Sequence, residues 1–192
     1  MESSKLYTDE FKTVSGKQIA DTITKYSFFD MKNAVNNDVV NKILSEVDLF
    51  NLNLNSNDIT PVHCDTGYFS SSAIAKSNTL YKLLTSEKIL NIAKEYLGDE
   101  FRLKCHRVYS TDPFTRGVWH TDNKNHGNVN TKVKGLVFMI YLNDTIDGEF
   151  QAIRGSHLTS HAYNFSNFDE DFIKNYKKED VTPFKYPAGS II

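Results

Sequence analysis

A histidine and an aspartate two residues apart, His120 and Asp122 in the run Gly-Val-Trp-His-Thr-Asp-Asn (117–123), are the side chains whose types and spacing point most directly to chemistry. Alternate residues of an extended strand project to the same side, so an imidazole and a carboxylate at this spacing can hold one metal ion together. The pair supplies two members of a facial triad of two histidines and one carboxylate, which leaves three positions of iron(II) open to a cosubstrate and oxygen. The third ligand would be a histidine much later in the chain, and none in suitable surroundings precedes Ile192.

The motif alone is weak, because six histidines and fifteen aspartates in 192 residues give about 0.5 His-x-Asp matches by composition. A second copy stands at His63-Cys64-Asp65. Its flanks, Thr60-Pro61-Val62 and Thr66-Gly67, read as a solvated loop, and nothing downstream promises a paired strand before a helix at 86. His120 and Asp122 lie between two strand-like runs, with Trp119 beside them to exclude water.

The elements that would position this pair divide the chain near residue 100. The first sixty residues are polar, with one amphipathic helix over 37–50 on which Val40, Ile43, Leu44 and Val47 recur at helical spacing, followed by a loop at 51–57. A stronger helix runs over 86–97. Thr85 or Ser86 caps its start, Gly98 suits its end, and Ile89, Ile92, Ala93, Tyr96 and Leu97 form one face. Beyond Gly98, residues 101–110, 134–142, 149–153 and 184 onward are β-branched or aromatic runs broken by Asp112-Pro113, Asn143-Asp144 and Asp147-Gly148. Residues 164–180, with Phe165, Phe168, Phe172 and Tyr176, suit a short helix or a covering loop.

The bulk composition narrows the function classes. At 40% hydrophobic, 12% aromatic and 24% charged residues the chain reads as one ordinary globular domain, with no length argument for a second. A net charge of -2 with scattered Lys and Arg argues against a nucleic-acid partner. Cys64 and Cys105 form no CxxC pair and read as buried free thiols rather than a disulfide or zinc framework. The start lacks a signal-peptide apolar core and no segment reaches the roughly 18 apolar residues of a membrane helix, so the expected location is cytoplasmic.

Four blocks in order carry a resemblance: Val-Trp-His-Thr-Asp-Asn (118–123), Gly-Leu-Val-Phe-Met-Ile-Tyr-Leu-Asn-Asp (135–144), Gly-Glu-Phe-Gln-Ala-Ile-Arg-Gly-Ser-His (148–157) and Tyr-Pro-Ala-Gly-Ser-Ile-Ile (186–192). From about residue 101 to the end the chain resembles the phytanoyl-CoA dioxygenase family of iron(II)/2-oxoglutarate oxygenases. The first hundred residues match only in general character. The resemblance implies an α+β fold: a double-stranded β-helix (jelly-roll, cupin-like) core from 101 to 192 with the helical and loop-rich part, 1–100, packed outside. It implies that His120 and Asp122 are the first two iron ligands, with Fe(II) as cofactor, 2-oxoglutarate and molecular oxygen as cosubstrates, and an unidentified small molecule as the substrate hydroxylated. The carboxylate retained at Asp122 points to hydroxylation rather than halogenation. In the family a turn like Pro187-Ala188-Gly189-Ser190 leads into the strand bearing the distal histidine, with an arginine further on that pairs with 2-oxoglutarate. This chain stops just inside that strand and reads as a C-terminally truncated fragment, its final Ile-Ile leaving core-facing backbone groups without partners.

His157 and His161 do not take the distal place: the histidine of the family's Gly-Ser-His block is not a ligand, and a spacing of four on a helical face is a common arrangement. His106 reads as a strand histidine near the site and His126 as a loop residue. Arg107 and Tyr109 share a strand face with Leu103 and Cys105, either lining the barrel to hold 2-oxoglutarate or substrate, or turned outward into surface pairs. Phe138 with Ile140, or Met139 with Tyr141, can floor the cosubstrate pocket, and Phe138 is the candidate taken here. Trp119, Asn123 at the head of a 123–130 loop that suits a lid or equally an ordinary exposed connection, and Arg154, placed to catch a substrate carboxylate or phosphate, are the candidate substrate contacts. Gly155 in Arg154-Gly155-Ser156-His157 serves a structural turn. Two rival readings stay open: a non-catalytic jelly-roll binding module, and a non-oxidative cupin-like metalloenzyme using zinc or manganese.

Overall fold

The computed structural model describes residues 5–47, 59–61, 67–70, 73–103, 108–111, 119–120, 134–158, 167–168 and 171–192. The chain enters as a short extended segment: Thr8 N–H donates to the Ala34 carbonyl at 3.0 Å and Asn36 N–H to the Leu6 carbonyl at 3.1 Å. The Asn36 side-chain amide fastens the same segment by donating to the carbonyls of Lys5 and Tyr7. Helix α1 (Asp9–Thr13) follows, then α2 (Gly16–Tyr26).

Helix α2 starts where two orphan amides are satisfied reciprocally: Ser15 Oγ accepts from Gln18 N–H, and Gln18 Oε1 accepts from Ser15 N–H. Its buried face, Ile19, Ala20 and Ile23, repeats at helical spacing. The first sixty residues therefore hold a second substantial helix besides the one expected over 37–50. That expected helix is α3 (Asn37–Glu46), with Val39, Val40 and Ile43 buried and Val47 closing its end.

After β1 (Ile59–Pro61) and β2 (Gly67–Ser70) come α4 (Ala73–Lys76), α5 (Asn78–Leu84) and α6 (Glu87–Leu97). The ends of α6 are those expected: Ser86 Oγ accepts from Ile89 N–H, and Gly98, at φ 97°, ends it while donating to the Lys94 carbonyl. Helix α2 lies so close against α6 that a Cβ on Gly16 would stand 3.3 Å from the Asn91 backbone. Helix α5 is anchored by Glu46, whose carboxylate accepts from Ser77 Oγ at 2.6 Å and from Thr79 N and Oγ1 at 3.0 Å each.

Strands β1 and β2 pair antiparallel, and β2 also pairs with β3 (Val108–Thr111), Phe69 facing Tyr109 in the register. The expectation that no paired strand follows His63 before the helix at 86 is thus overturned. The alternation in Gly67–Ser70 is too short to separate from turn chemistry until its partner, forty residues on, is considered. Two further pairs are antiparallel: β4 (Trp119–His120) with β6 (Asn167–Phe168), and β5 (Gln151–Ile153) with β7 (Val181–Pro183).

Residues 134–142 form a half-buried extended run rather than a long strand, held by the chain end. Met139 and Ile192 exchange both backbone hydrogen bonds, 3.0 and 2.9 Å, and Tyr141 N–H donates to the Ser190 carbonyl. Ile191 in turn exchanges both bonds with Met31, 2.9 and 3.0 Å. The terminal Ile-Ile main chain is therefore paired on both sides, against the expectation that it lacks partners, and Ile191 is buried. The turn before it needs glycine: Gly189 sits at φ 80°, and a Cβ there would lie 2.5 Å from the Val35 carbonyl oxygen.

The largest cluster of buried residues lies among the helices: Leu6, Phe11, Ile19, Val39, Val40, Ile43, Leu80, Leu83, Ile89 and Ile92 interlock, with Val108 and Ile191 added from later in the chain. Leu136, Phe138, Ile140 and Leu142 pack against it from one face of the extended run. A smaller aromatic group surrounds the fully buried Phe184, which stacks on Phe150 and meets Phe28 and Tyr186 edge-on. Among the described residues no helix is long and apolar enough to cross a membrane.

Candidate functional site

His120 and Trp119 form β4, with Trp119 opposite Phe168 and His120 opposite Asn167. His120 is exposed and Trp119 half-buried. At Trp119–His120 the chain has the extended conformation that a His-x-Asp grip requires. Asp122 itself lies outside the described residues, as do Arg107, Asn123, the 123–130 loop, His106, His126 and His161. The second motif, His63-Cys64-Asp65, falls in the connection between β1 and β2 and is also outside them, with Cys105.

The other candidates are dispersed. Tyr109 is a residue of β3, in a different sheet from His120. Phe138 packs with Leu136 and Ile140 on the helical core, so the pair that alternates with it, Met139 and Tyr141, occupies the opposite face of the run. Tyr141 offers its hydroxyl to the Phe150 N–H at 3.3 Å. Among the described residues no three His, Cys, Asp or Glu side chains converge as a metal site.

The Arg154-Gly155-Ser156-His157 turn is placed most fully. It docks on the C-terminal end of α2, where four carbonyls have no partner within the helix. Gly155, at φ 72°, donates its N–H to the Tyr26 carbonyl at 3.1 Å, and His157 Nε2 meets the Thr24 carbonyl at 2.9 Å. A carbonyl only accepts, so this nitrogen is the donor, and His157 is occupied as a helix clamp. Ser27, itself at φ 76°, sends its hydroxyl back to the Ile153 carbonyl at 3.2 Å. Backbone geometry thus supports the structural reading of this turn.

Arg154 stands exposed above two rings, its guanidinium carbon 4.9 Å from the centre of Tyr26 and 5.3 Å from that of Phe28. Lys25 lies 4.7 Å from the same Tyr26 ring. The hydrogen bond and charge of Lys25, with Arg154 beyond, hold the Tyr26 hydroxyl below the usual phenol range against a small opposing effect of burial. Lys25 and Tyr26 were not among the residues singled out from sequence. The signal that finds them is the Ser15-x-x-Gln18 capping box, which fixes α2 and hence its end at Tyr26.

Compared with known proteins, the chain matches no family model, and no curated protein matches it.

Proposed function

We propose that the protein is an iron(II)/2-oxoglutarate-dependent dioxygenase that hydroxylates a small molecule within a double-stranded β-helix, and that it works in the cytoplasm. The observation that carries this reading is the extended, exposed setting of His120 at the head of His-Thr-Asp. Imidazole with carboxylate is a donor set suited to ferrous ion, and this chemistry needs a third donor beside them. Bound iron(II) would supply oxygen activation coupled to the decarboxylation of 2-oxoglutarate.

The chain's own residues then have separate tasks. His120 and Asp122 hold the metal on one side of the strand. Arg107 and Tyr109 orient the cosubstrate, while Trp119 excludes water beside the ligands. Asn123 and Arg154 meet the substrate. Oxygen-dependent formation of succinate from 2-oxoglutarate by the full-length protein, compared with Asp122→Ala, tests the assignment. Loss of turnover in the variant is expected; equal rates defeat it.

A further inference from the structure

We infer that Arg154, Lys25 and the Tyr26 hydroxyl form a binding site for the phosphate group of a small-molecule ligand. Both cations flank a single ring, at 4.7 and 4.9 Å from its centre, so the two charges and the phenol belong to one corner of the surface. Among the described residues no carboxylate forms an ion pair with either cation. The nearby acid on the same segment, Asp30, is engaged by the Tyr186 hydroxyl, with Lys32 over the Tyr186 ring.

At the end of α2 three of the four terminal carbonyls accept from internal donors: Tyr26 from Gly155, Thr24 from His157 and Ile23 from the Ser27 N–H. The hydrogen bond and charge of Lys25, with the charge of Arg154, hold the Tyr26 hydroxyl low, so the phenol feels both cations. The Arg154 guanidinium lies over both Tyr26 and Phe28, and its fork of N–H donors matches two phosphate oxygens. Two cations and a hydroxyl suit a dianion better than a carboxylate. The site is read without metal or turnover, so its failure and the failure of the oxygenase reading are separable.

The test is an NMR titration with inorganic phosphate, following the Tyr26, Ser27 and Gly155 amides, on the wild type, Arg154→Gln, Lys25→Gln and, as control, Lys17→Gln, whose lysine pairs with Asp21 on the same helix. Saturable shifts are expected, weakened at least about tenfold in the first two variants and unchanged in the control, with acetate at least about tenfold weaker than phosphate. Should Arg154→Gln unfold, the exposed Lys25→Gln carries the comparison. Absence of saturation, equal weakening in Lys17→Gln, or equal binding of acetate would overturn the site. Co-sedimentation with phosphatidylcholine vesicles containing phosphatidic acid would overturn its assignment to a small molecule.

Discussion

Replacing Glu46 by alanine removes the tie between the end of α3 and the start of α5. Its carboxylate accepts three hydrogen bonds, from Ser77 Oγ, Thr79 N and Thr79 Oγ1, and both Ser77 and Thr79 are buried, so the donors left behind find little water. At about 1 kcal/mol net for each bond, with a further penalty for stranded buried hydroxyls, the loss comes to about 2–4 kcal/mol. Lys42 contributes little, because its ammonium is more than half exposed and 3.7 Å away. Burial pushes the Glu46 carboxyl up, but the bonds from Ser77 and Thr79, with Lys42, outweigh it and hold the group below the ordinary glutamate range. A lowered folded-state value means that this stabilisation is fully present above the unfolded value, about pH 4.3, and fades as pH falls through the folded one. Urea unfolding of wild type and Glu46→Ala should therefore differ by about 2–4 kcal/mol near neutral pH and by less in acid, where the protonated carboxyl keeps one carbonyl acceptor. Glu46→Gln, which keeps one carbonyl acceptor, should fall between them. A difference below about 0.5 kcal/mol at neutral pH, or one of equal size in acid, would refute the reasoning.

Gly189→Ala should cost about 2 kcal/mol or more, lowering the melting temperature by roughly 4–8 °C, because the new Cβ meets the Val35 carbonyl and the left-handed backbone is strained; an unchanged melt would contradict the turn. Tyr7 is buried with its hydroxyl 3.0 Å from the Leu83 carbonyl and 2.7 Å from Ser86 Oγ, and burial, countered in part by Ser86, pushes it up to about 12. A raised phenol value gives stability that is complete below the unfolded value of 10.0 and is lost as pH rises through about 12. Tyr7→Phe should cost about 1 kcal/mol at neutral pH but lose less stability over that alkaline range, as read by circular dichroism.

Periodicity and caps made parts of the helical layer legible. In α3 and α6 the apolar faces recur at helical spacing, and Ser86 and Gly98 mark the ends of α6. Helix α2 was overlooked because Lys17, Asp21, Thr22, Thr24 and Lys25 dilute its apolar stripe to Ile19, Ala20 and Ile23, leaving the Ser15-Gln18 box as its local signal. Strands β1 and β2 are three and four residues long, and their pairing with β3 is non-local, beyond what a window of sequence can hold. The weight of the core was expected in the β-rich half, yet the described strands are short while Val39, Ile43, Leu83, Ile89 and Ile92 meet among helices. The glycine turn at 186–192 was readable, but not the way Ile191 and Ile192 join Met31 and Met139, which depends on contacts with distant segments. Of the candidate site, His120 was placed between two strand-like runs, whereas its own pairing across from Asn167 depends on a segment nearly fifty residues on. The docking of Arg154 on Tyr26 was not legible, since it depends on the missed helix.

The central claim, that one imidazole and one carboxylate of a single strand share a ferrous ion, is tested most directly by anaerobic iron(II) titration followed calorimetrically on wild type, His120→Ala and Asp122→Ala. The account predicts one ferrous ion per chain, held at least about tenfold more weakly in each variant. No ferrous binding by the wild type, or equal affinity in all three proteins, would contradict it.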